Sequence, residues 1–262
     1  MKIGIVAIAV ALVVLAVLPP AMTAYPAEEE TRPDENRLFY TGGVYYEKKD
    51  YEKAIENYSA AMKLGLESGN LYYNMGNAYL KTGRYGYAIL YYEKAKRLIP
   101  QDGDLKSNLI YTRSMAPGSE AEAKVSFAAK IITAPFESIN LNAVAITALI
   151  VYVLTVICAI FFMFNPYRAK KLRIIFVLLF IIFLWSTAAF AIRYYEDEVL
   201  KKGVTVVKSA EVRFEPIDDS SAYYKLQEGD EVIVLDTRDG WRRVKRSDGK
   251  IGWIAESAVE EI

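Results

Sequence analysis

The side chains that most often carry enzymatic chemistry are nearly absent from this sequence. Its 262 residues include no histidine and a single cysteine, Cys158, and the formal net charge is zero. Sites that depend on imidazole are therefore excluded, and a disulfide within the chain is impossible. No recognisable constellation of carboxylates stands in their place, and no basic tract suits nucleic acid. We therefore expect no catalytic residue, no cofactor and no metal ion, which disfavours an enzyme.

Aromatic and amide side chains in the first half of the chain point instead to binding. Twelve of the twenty tyrosines lie between Tyr40 and Tyr92. Exposed aromatic rings favour protein or peptide binding, and side-chain amides can hydrogen-bond a peptide backbone. Packing inside the fold is the alternative explanation for each tyrosine. The candidate partner-binding residues are Phe39, Tyr46, Tyr73, Asn74, Asn77 and Asn108.

A repeat of 34 residues positions these side chains. Residues 36–69 align with residues 70–103 at a constant offset, and eight identical positions lie between Gly42 and Leu64. The matched pairs are Gly42 and Gly76, Tyr45 and Tyr79, Tyr51 and Tyr85, Ala54 and Ala88, Ile55 and Ile89, Tyr58 and Tyr92, Ala61 and Ala95, and Leu64 and Leu98. This period is typical of tetratricopeptide repeats, which pair two helices in each unit. We predict a solenoid over residues 35–116, with two full repeats and a capping helix.

Two long apolar stretches in the middle of the chain, the second with a single charge at Arg173 near its start, predict a transmembrane hairpin. Residues 141–164 and 172–192 are each long enough to cross a bilayer core as a helix. The loop between them, residues 165–171, carries three basic side chains, and short basic loops remain on the cytoplasmic side. We therefore expect the domains before and after the hairpin to lie together on the opposite face.

The remaining segments connect these parts. Residues 1–24 predict a signal peptide or an N-terminal anchor, because a lysine precedes a long apolar run and small residues follow it. An acidic linker follows over residues 25–34. Residues 117–140 are either a linker or a short interfacial helix, and residues 193–202 form a linker.

Short strands separated by tight turns are predicted over residues 203–262. Asp-Gly pairs at positions 239–240 and 248–249 are strong hairpin signals, because glycine supplies the positive φ that these turns require. The segments Ala210-Glu-Val-Arg213, Leu226-Gln-Glu-Gly229, Gly240-Trp241 and Gly249-Lys-Ile-Gly-Trp253 resemble a bacterial SH3 domain, a small all-β barrel. The candidate partner-binding residues here are Tyr223 and Tyr224, assigned to a loop before Leu226, and Trp241. A packing role is the alternative for Trp241.

The order of the parts resembles the BatE family of bacterial aerotolerance (Bat) operons, most densely over residues 68–79 and 87–93. The resemblance implies a non-enzymatic scaffold in the bacterial inner (cytoplasmic) membrane, with the tetratricopeptide and SH3-like domains on the periplasmic face. The implied partners are membrane proteins with von Willebrand factor A domains and a MoxR-type AAA+ ATPase. Peptidoglycan binding through the SH3-like domain is the alternative. The expected fold is a multidomain membrane protein with an all-α solenoid, a two-helix hairpin and a small all-β barrel.

Overall fold

The computed structural model describes residues 33–118, 131–136, 139–164 and 169–262. These residues form two compact units: a pair of apolar helices, and a larger unit built from the chain on both sides of that pair. The predicted signal peptide, most of the acidic linker, the middle of the 117–140 segment and the first part of the basic loop lie outside the described residues.

Five helices form the N-terminal part of the larger unit. They are α1 (Pro33–Glu47), α2 (Tyr51–Lys63), α3 (Gly69–Lys81), α4 (Tyr85–Leu98) and α5 (Gly103–Met115). Helices α1 and α2 pack together as the first repeat unit, and α3 and α4 as the second. Helix α5 packs on α4 as half of a third repeat unit. The side chains of Asp50, Ser68 and Asp102 each accept a hydrogen bond from the backbone N–H three residues ahead, which fixes where α2, α3 and α5 begin.

A glycine in each unit lets an aromatic ring pack directly on the first helix. A Cβ atom on Gly42 would lie 2.5 Å from the ring of Tyr58, and one on Gly76 would lie 2.6 Å from the ring of Tyr92. Both tyrosines are buried, and the two pairs are related by the 34-residue offset. The helical solenoid predicted from the repeat is confirmed.

Two long apolar helices are α6 (Leu141–Phe164) and α7 (Ala169–Tyr194), and together they form the smaller unit as far as Ala191. The rings of Tyr152 and Phe183 contact each other, with centroids 5.6 Å apart. In the most apolar stretch of 18 residues, only 17% of α6 is buried, and in the corresponding stretch of α7 only 11% is buried. Both helices are long and apolar enough to cross a membrane, and such low burial is not what a core helix of a soluble fold shows.

The C-terminal part of the larger unit is an antiparallel sheet of seven strands. These are β1 (Lys202–Thr205), β2 (Ser209–Arg213), β3 (Ala222–Gln227), β4 (Glu231–Arg238), β5 (Trp241–Lys245), β6 (Ile251–Ala255) and β7 (Val259–Glu261). Their order in the sheet is β3-β2-β6-β5-β4-β1-β7. Its core contains Val212, Leu226, Val232, Val234, Val244, Ile254, Ala258 and Val259.

One assignment made from the sequence was wrong. Tyr223 and Tyr224 do not lie in a loop: they belong to β3, where Tyr224 pairs with Val212 of β2. Within β3, half-buried Tyr224 and buried Leu226 alternate with exposed Lys225 and Gln227, but this alternation covers only four residues and is a short strand signal.

The sheet packs against the solenoid through a shared hydrophobic core. Val204 of β1 and Val206 just after it are buried in the same cluster as Ile89 of α4 and Ala116 beyond α5. Burial of this kind is the main favourable term in joining two folded parts. The repeats and the sheet therefore form one body.

A carboxylate from the sheet caps a helix of the solenoid. Arg84, at the N-cap position of α4, makes no side-chain capping bond. Instead, Oε1 of Glu228 accepts a hydrogen bond of 2.9 Å from the backbone N–H of Gly86, in the first turn of α4. The backbone carbonyl of Glu228 also accepts from the N–H of Gly118, at 3.1 Å. A negative charge at a helix N-terminus is stabilising, so Glu228 supplies the cap that α4 lacks locally.

An arginine also bridges the solenoid and the sheet. The guanidinium of Arg113 on α5 donates to the carboxylate of Glu93 on α4 at 2.8 Å, and also to the carboxylate of Glu231 on β4. All three side chains are mostly buried, so solvent screens this network less than it screens a surface ion pair. The bridge fixes the sheet on the last two helices of the solenoid.

Candidate functional site

The first helices of the three repeats lie side by side, since α1 contacts α3 and α3 contacts α5. These three helices carry all six candidate residues of the solenoid. Two equivalent ring pairs line this face. The rings of Phe39 and Tyr58 have centroids 5.9 Å apart and planes inclined at 42°, and those of Tyr73 and Tyr92 have centroids 6.0 Å apart at the same angle. Each buried tyrosine thus packs against a half-buried ring, Phe39 in the first repeat and Tyr73 in the second.

Hydrogen bonds join three of the candidate residues into one network. The Asn108 side-chain amide donates to Oδ1 of Asn77 at 2.9 Å and to the hydroxyl of Tyr73 at 3.1 Å. The hydroxyl of Tyr92 donates to the same Oδ1 of Asn77 at 2.6 Å. Burial raises the pKa of Tyr92 well above its usual value, so the hydroxyl stays protonated and donates. We call the six candidate residues of the solenoid the groove; they are Phe39, Tyr46, Tyr73, Asn74, Asn77 and Asn108.

Tyr46 extends the groove towards the first unit. Burial, and then the neighbouring hydroxyls of Tyr51 and Tyr73, raise the pKa of Tyr46. The Tyr46 and Tyr51 rings meet edge to face with centroids 5.3 Å apart, which restrains the side chain of Tyr46. The groove therefore presents aromatic rings and amides that are already positioned.

Among the described residues, Asn74 makes no side-chain hydrogen bond, unlike the other two asparagine candidates of the solenoid. It is equivalent to Asn108 by the 34-residue offset. The residues of the first unit that correspond to Tyr73 and Asn77 are Phe39 and Gly43, which offer no side-chain hydrogen-bond partner. The amide of Asn74 therefore remains the better candidate for direct contact with a ligand.

On the sheet, the structure brings two of the three candidates together and adds a third ring. Tyr223 lies between Tyr224, with centroids 5.2 Å apart, and Phe214, with centroids 4.5 Å apart. The guanidinium of Arg246 lies over the Tyr224 ring, 4.6 Å from its centroid. Trp241 begins β5 and shares no ring contact with these residues in the described part of the chain.

Phe214 was missed because the sequence places it at the end of a predicted strand. Its side chain is 56% exposed, and that of Tyr223 is 40% exposed. The signal available in the sequence was an aromatic residue next to the loop Glu215-Pro-Ile-Asp-Asp219, in which turn residues follow a strand. The contact with Tyr223 depends on how β2 pairs with β3, and this pairing was not predicted.

Family models match both folded parts of the larger unit. A TPR repeat model matches residues 42–83 and a tetratricopeptide repeat model matches residues 69–102. A bacterial SH3 domain model matches residues 208–260. The chain thus combines tetratricopeptide repeats with a bacterial SH3 domain, and both are domain types that typically mediate interactions rather than catalysis.

Individual relatives match a limited part of the chain. Human serine/threonine-protein phosphatase 5 is 39% identical over 71 residues, which are 27% of this chain and 13% of the phosphatase. Human protein O-mannosyl-transferase TMTC1 is 36% identical over 75 residues, which are 28% of this chain and 8% of the transferase. The crystal structure of the Sgt2 TPR domain from Aspergillus fumigatus is 25% identical, with a TM-score of 0.30, and covers 32% of this chain and 55% of that domain. The chain therefore spans a small fraction of the curated relatives that it matches.

Proposed function

We propose that this protein is a membrane-anchored, non-enzymatic scaffold that recruits partner proteins through its tetratricopeptide groove and its SH3-like domain. The observation that carries the proposal is the joining of the two interaction domains into one body through a shared core, a helix cap and an arginine bridge. Such a body can hold two partners, or two parts of one partner, at a fixed separation. Fixed separation raises the effective concentration of one partner at the other.

The apolar helices supply the anchor in this proposal. The chain on either side of α6 and α7 contributes to one packed body, which supports a hairpin whose two ends emerge on the same face of a membrane. Within the larger unit, the guanidinium of Arg193, from the chain after Ala191, donates to the backbone carbonyl of Phe136, from the chain before α6, at 2.7 Å. The basic residues of the connecting loop favour the cytoplasm for the loop, and hence the periplasm for the body.

The resemblance to the BatE family suggests the partners and the setting. We propose that the protein works in the bacterial inner membrane, within a Bat/MoxR-type complex for envelope stress or aerotolerance. The partners would then be membrane proteins with von Willebrand factor A domains and a MoxR-type AAA+ ATPase. Crosslinking in intact cells, followed by pull-down of the tagged full-length chain in mild detergent, tests this. Recovery of both classes supports the complex, and recovery of wall fragments or wall enzymes alone contradicts it.

We expect Tyr46→Ala and Tyr73→Ala each to weaken partner capture by about tenfold, since truncating a ring at the centre of an interface removes a large contact. The readout is the amount of partner recovered after crosslinking, with membrane insertion checked by fractionation. Tyr87→Ala is the matched control. Tyr87 belongs to the same repeat as Tyr73, but its ring stacks on Tyr79, which is not a groove residue. Unchanged capture by folded Tyr46 and Tyr73 variants would remove the groove from the proposal.

Peptidoglycan binding is a second candidate function, favoured by the exposed rings of Phe214 and Tyr223 on a domain that matches the bacterial SH3 model. Exposed aromatic rings can stack on sugar rings as well as on peptides. Co-sedimentation of the full-length protein with purified cell wall is the direct test. Sedimentation that Phe214→Ala abolishes would support wall binding, and the absence of sedimentation would exclude it.

A further inference from the structure

An exposed apolar surface on the SH3-like domain lies beside the tip of the loop between β2 and β3. Phe214, at the end of β2, and Tyr223 of β3 contact each other with ring centroids 4.5 Å apart. In the same loop, Ile217 is 52% exposed. Exposed large apolar side chains that contact each other, as the two rings do, often mark an interaction site.

Hydrogen bonds hold the loop in one conformation. The guanidinium of Arg213 donates to the carbonyl of Ser220 at 2.6 Å, and also to the carbonyl of Asp218. The backbone N–H of Glu215 donates to the hydroxyl of Ser220 at 3.1 Å. A surface that is already ordered loses little conformational entropy when a ligand binds.

The carboxylates of this loop lack the ion pairs that neighbouring carboxylates of the domain make in the described part of the chain. Glu211 pairs with Lys225 and Arg213, and Asp248 pairs with Arg246 and Lys250. The loop adds three exposed carboxylates, and across the described residues no ion pair engages them; they are Glu215, Asp218 and Asp219. Their field favours a cationic ligand and disfavours anionic polymers and lipid head groups.

The neighbouring strand suits an extended ligand. β3 pairs with β2 on one side and is the first strand in the order of the sheet, so its other edge is open among the described strands. An open strand edge offers backbone hydrogen bonds to an extended peptide.

We propose that the surface formed by Phe214, Ile217 and Tyr223 binds an extended segment of a partner protein in which Lys or Arg stands next to an apolar side chain. The apolar side chain packs on the two rings, and the cation faces the carboxylates of the loop. The proposal rests on the scaffold function and gives the chemical class of the partner segment for this domain.

Fluorescence anisotropy with the full-length protein in mild detergent tests the proposal. The probe is a labelled, end-capped nonapeptide in which Lys alternates with Val, and the comparison peptide has Glu in place of every Lys. We expect binding of the Lys peptide that weakens as salt rises, and at least tenfold weaker binding of the Glu peptide. Equal binding of the two peptides, or no binding of the Lys peptide, overturns the proposal.

Variants locate the binding on this surface. We expect Phe214→Ala to weaken binding of the Lys peptide about tenfold. Asp218→Asn combined with Asp219→Asn should weaken it about fivefold at low salt, with little effect at high salt. Leu235→Ala is the matched control, since Leu235 is an exposed apolar residue of β4 in the same domain. Equal losses in Leu235→Ala and Phe214→Ala would also overturn the proposal.

Two outcomes separate this inference from the scaffold proposal. If purified peptidoglycan displaces the probe, or binds through Phe214 while the Lys peptide does not, the surface binds the wall and the peptide inference fails. Partner capture that still depends on Tyr46 and Tyr73 would leave the scaffold proposal standing in that case. If the wild-type protein captures no partner but binds the Lys peptide through Phe214, the peptide inference stands and the scaffold proposal fails.

Discussion

Gly86→Ala is expected to lower the free energy of unfolding of the joined body by about 2–4 kcal/mol, although alanine normally stabilises a helix relative to glycine. A Cβ atom at this position would lie 2.4 Å from the backbone oxygen of Thr205 and 2.9 Å from Cα of Val206. Both are backbone atoms, so neither can rotate away. The strand must move off α4, and the hydrogen bond from Gly86 to Glu228 is then lost as well.

Urea unfolding of the full-length protein in mild detergent, with amide hydrogen exchange along α4, measures this effect. Gly103→Ala is the matched control, because Gly103 begins α5 and no atom lies within 4 Å of the position of its Cβ. We expect Gly103→Ala to be neutral or to stabilise by up to about 1 kcal/mol. Wild-type stability and unchanged exchange in Gly86→Ala would show that the sheet does not rest on α4.

The docked sheet resolves a difficulty that two and a half repeats present. A solenoid buries its apolar faces on neighbouring units, and a terminal unit needs a cap. The helical third unit described here consists of α5, and the sheet covers α4 beside it through Val204, Val206 and the turn that carries Glu228. The SH3-like domain therefore serves as a cap for the solenoid in addition to any ligand that it binds.

Local sequence signals were enough to predict the helices of the solenoid. The alanines at positions 54, 61, 88 and 95 are all fully buried. This agrees with their place in the repeat, where small side chains let neighbouring helices pack closely. The offset of 34 residues also reproduces the geometry of the two ring pairs almost without change. Periodic patterns work here because each repeat packs mainly on itself and its neighbours.

Contacts between distant parts of the chain could not be predicted in the same way. The bond between Gly86 and Glu228 joins residues separated by 142 positions, and neither residue type is unusual in its local context. The sequence leaves α4 without a capping side chain, but that absence does not identify the residue that supplies one. The ring pair of Phe214 and Tyr223 likewise depends on strand pairing with a register shift beside Arg213.

Tyr92 gives the second large expected effect, because its ring and its hydroxyl support different features. The ring is fully buried against Gly76 and Tyr73, so Tyr92→Ala should cost about 3–5 kcal/mol of stability and unfold much of the solenoid. Tyr92→Phe keeps the ring and removes the donor to Asn77, at an expected cost of about 1–2 kcal/mol. Urea unfolding of the full-length variants measures both costs.

The phenylalanine variant should also loosen the groove, because Asn77 accepts from both Tyr92 and Asn108 and would lose the shorter of the two bonds. We expect partner capture to fall about fivefold in Tyr92→Phe, since the amides would no longer be held in place. Tyr58→Phe is the matched control: Tyr58 is the equivalent residue of the first unit, where Gly43 stands in the place of Asn77 and has no side chain to accept. If both phenylalanine variants lose stability and capture to the same extent, the hydroxyl of Tyr92 does not organise the groove. A loss of capture confined to Tyr92→Phe would instead connect the packing of one repeat directly to the recognition of a partner.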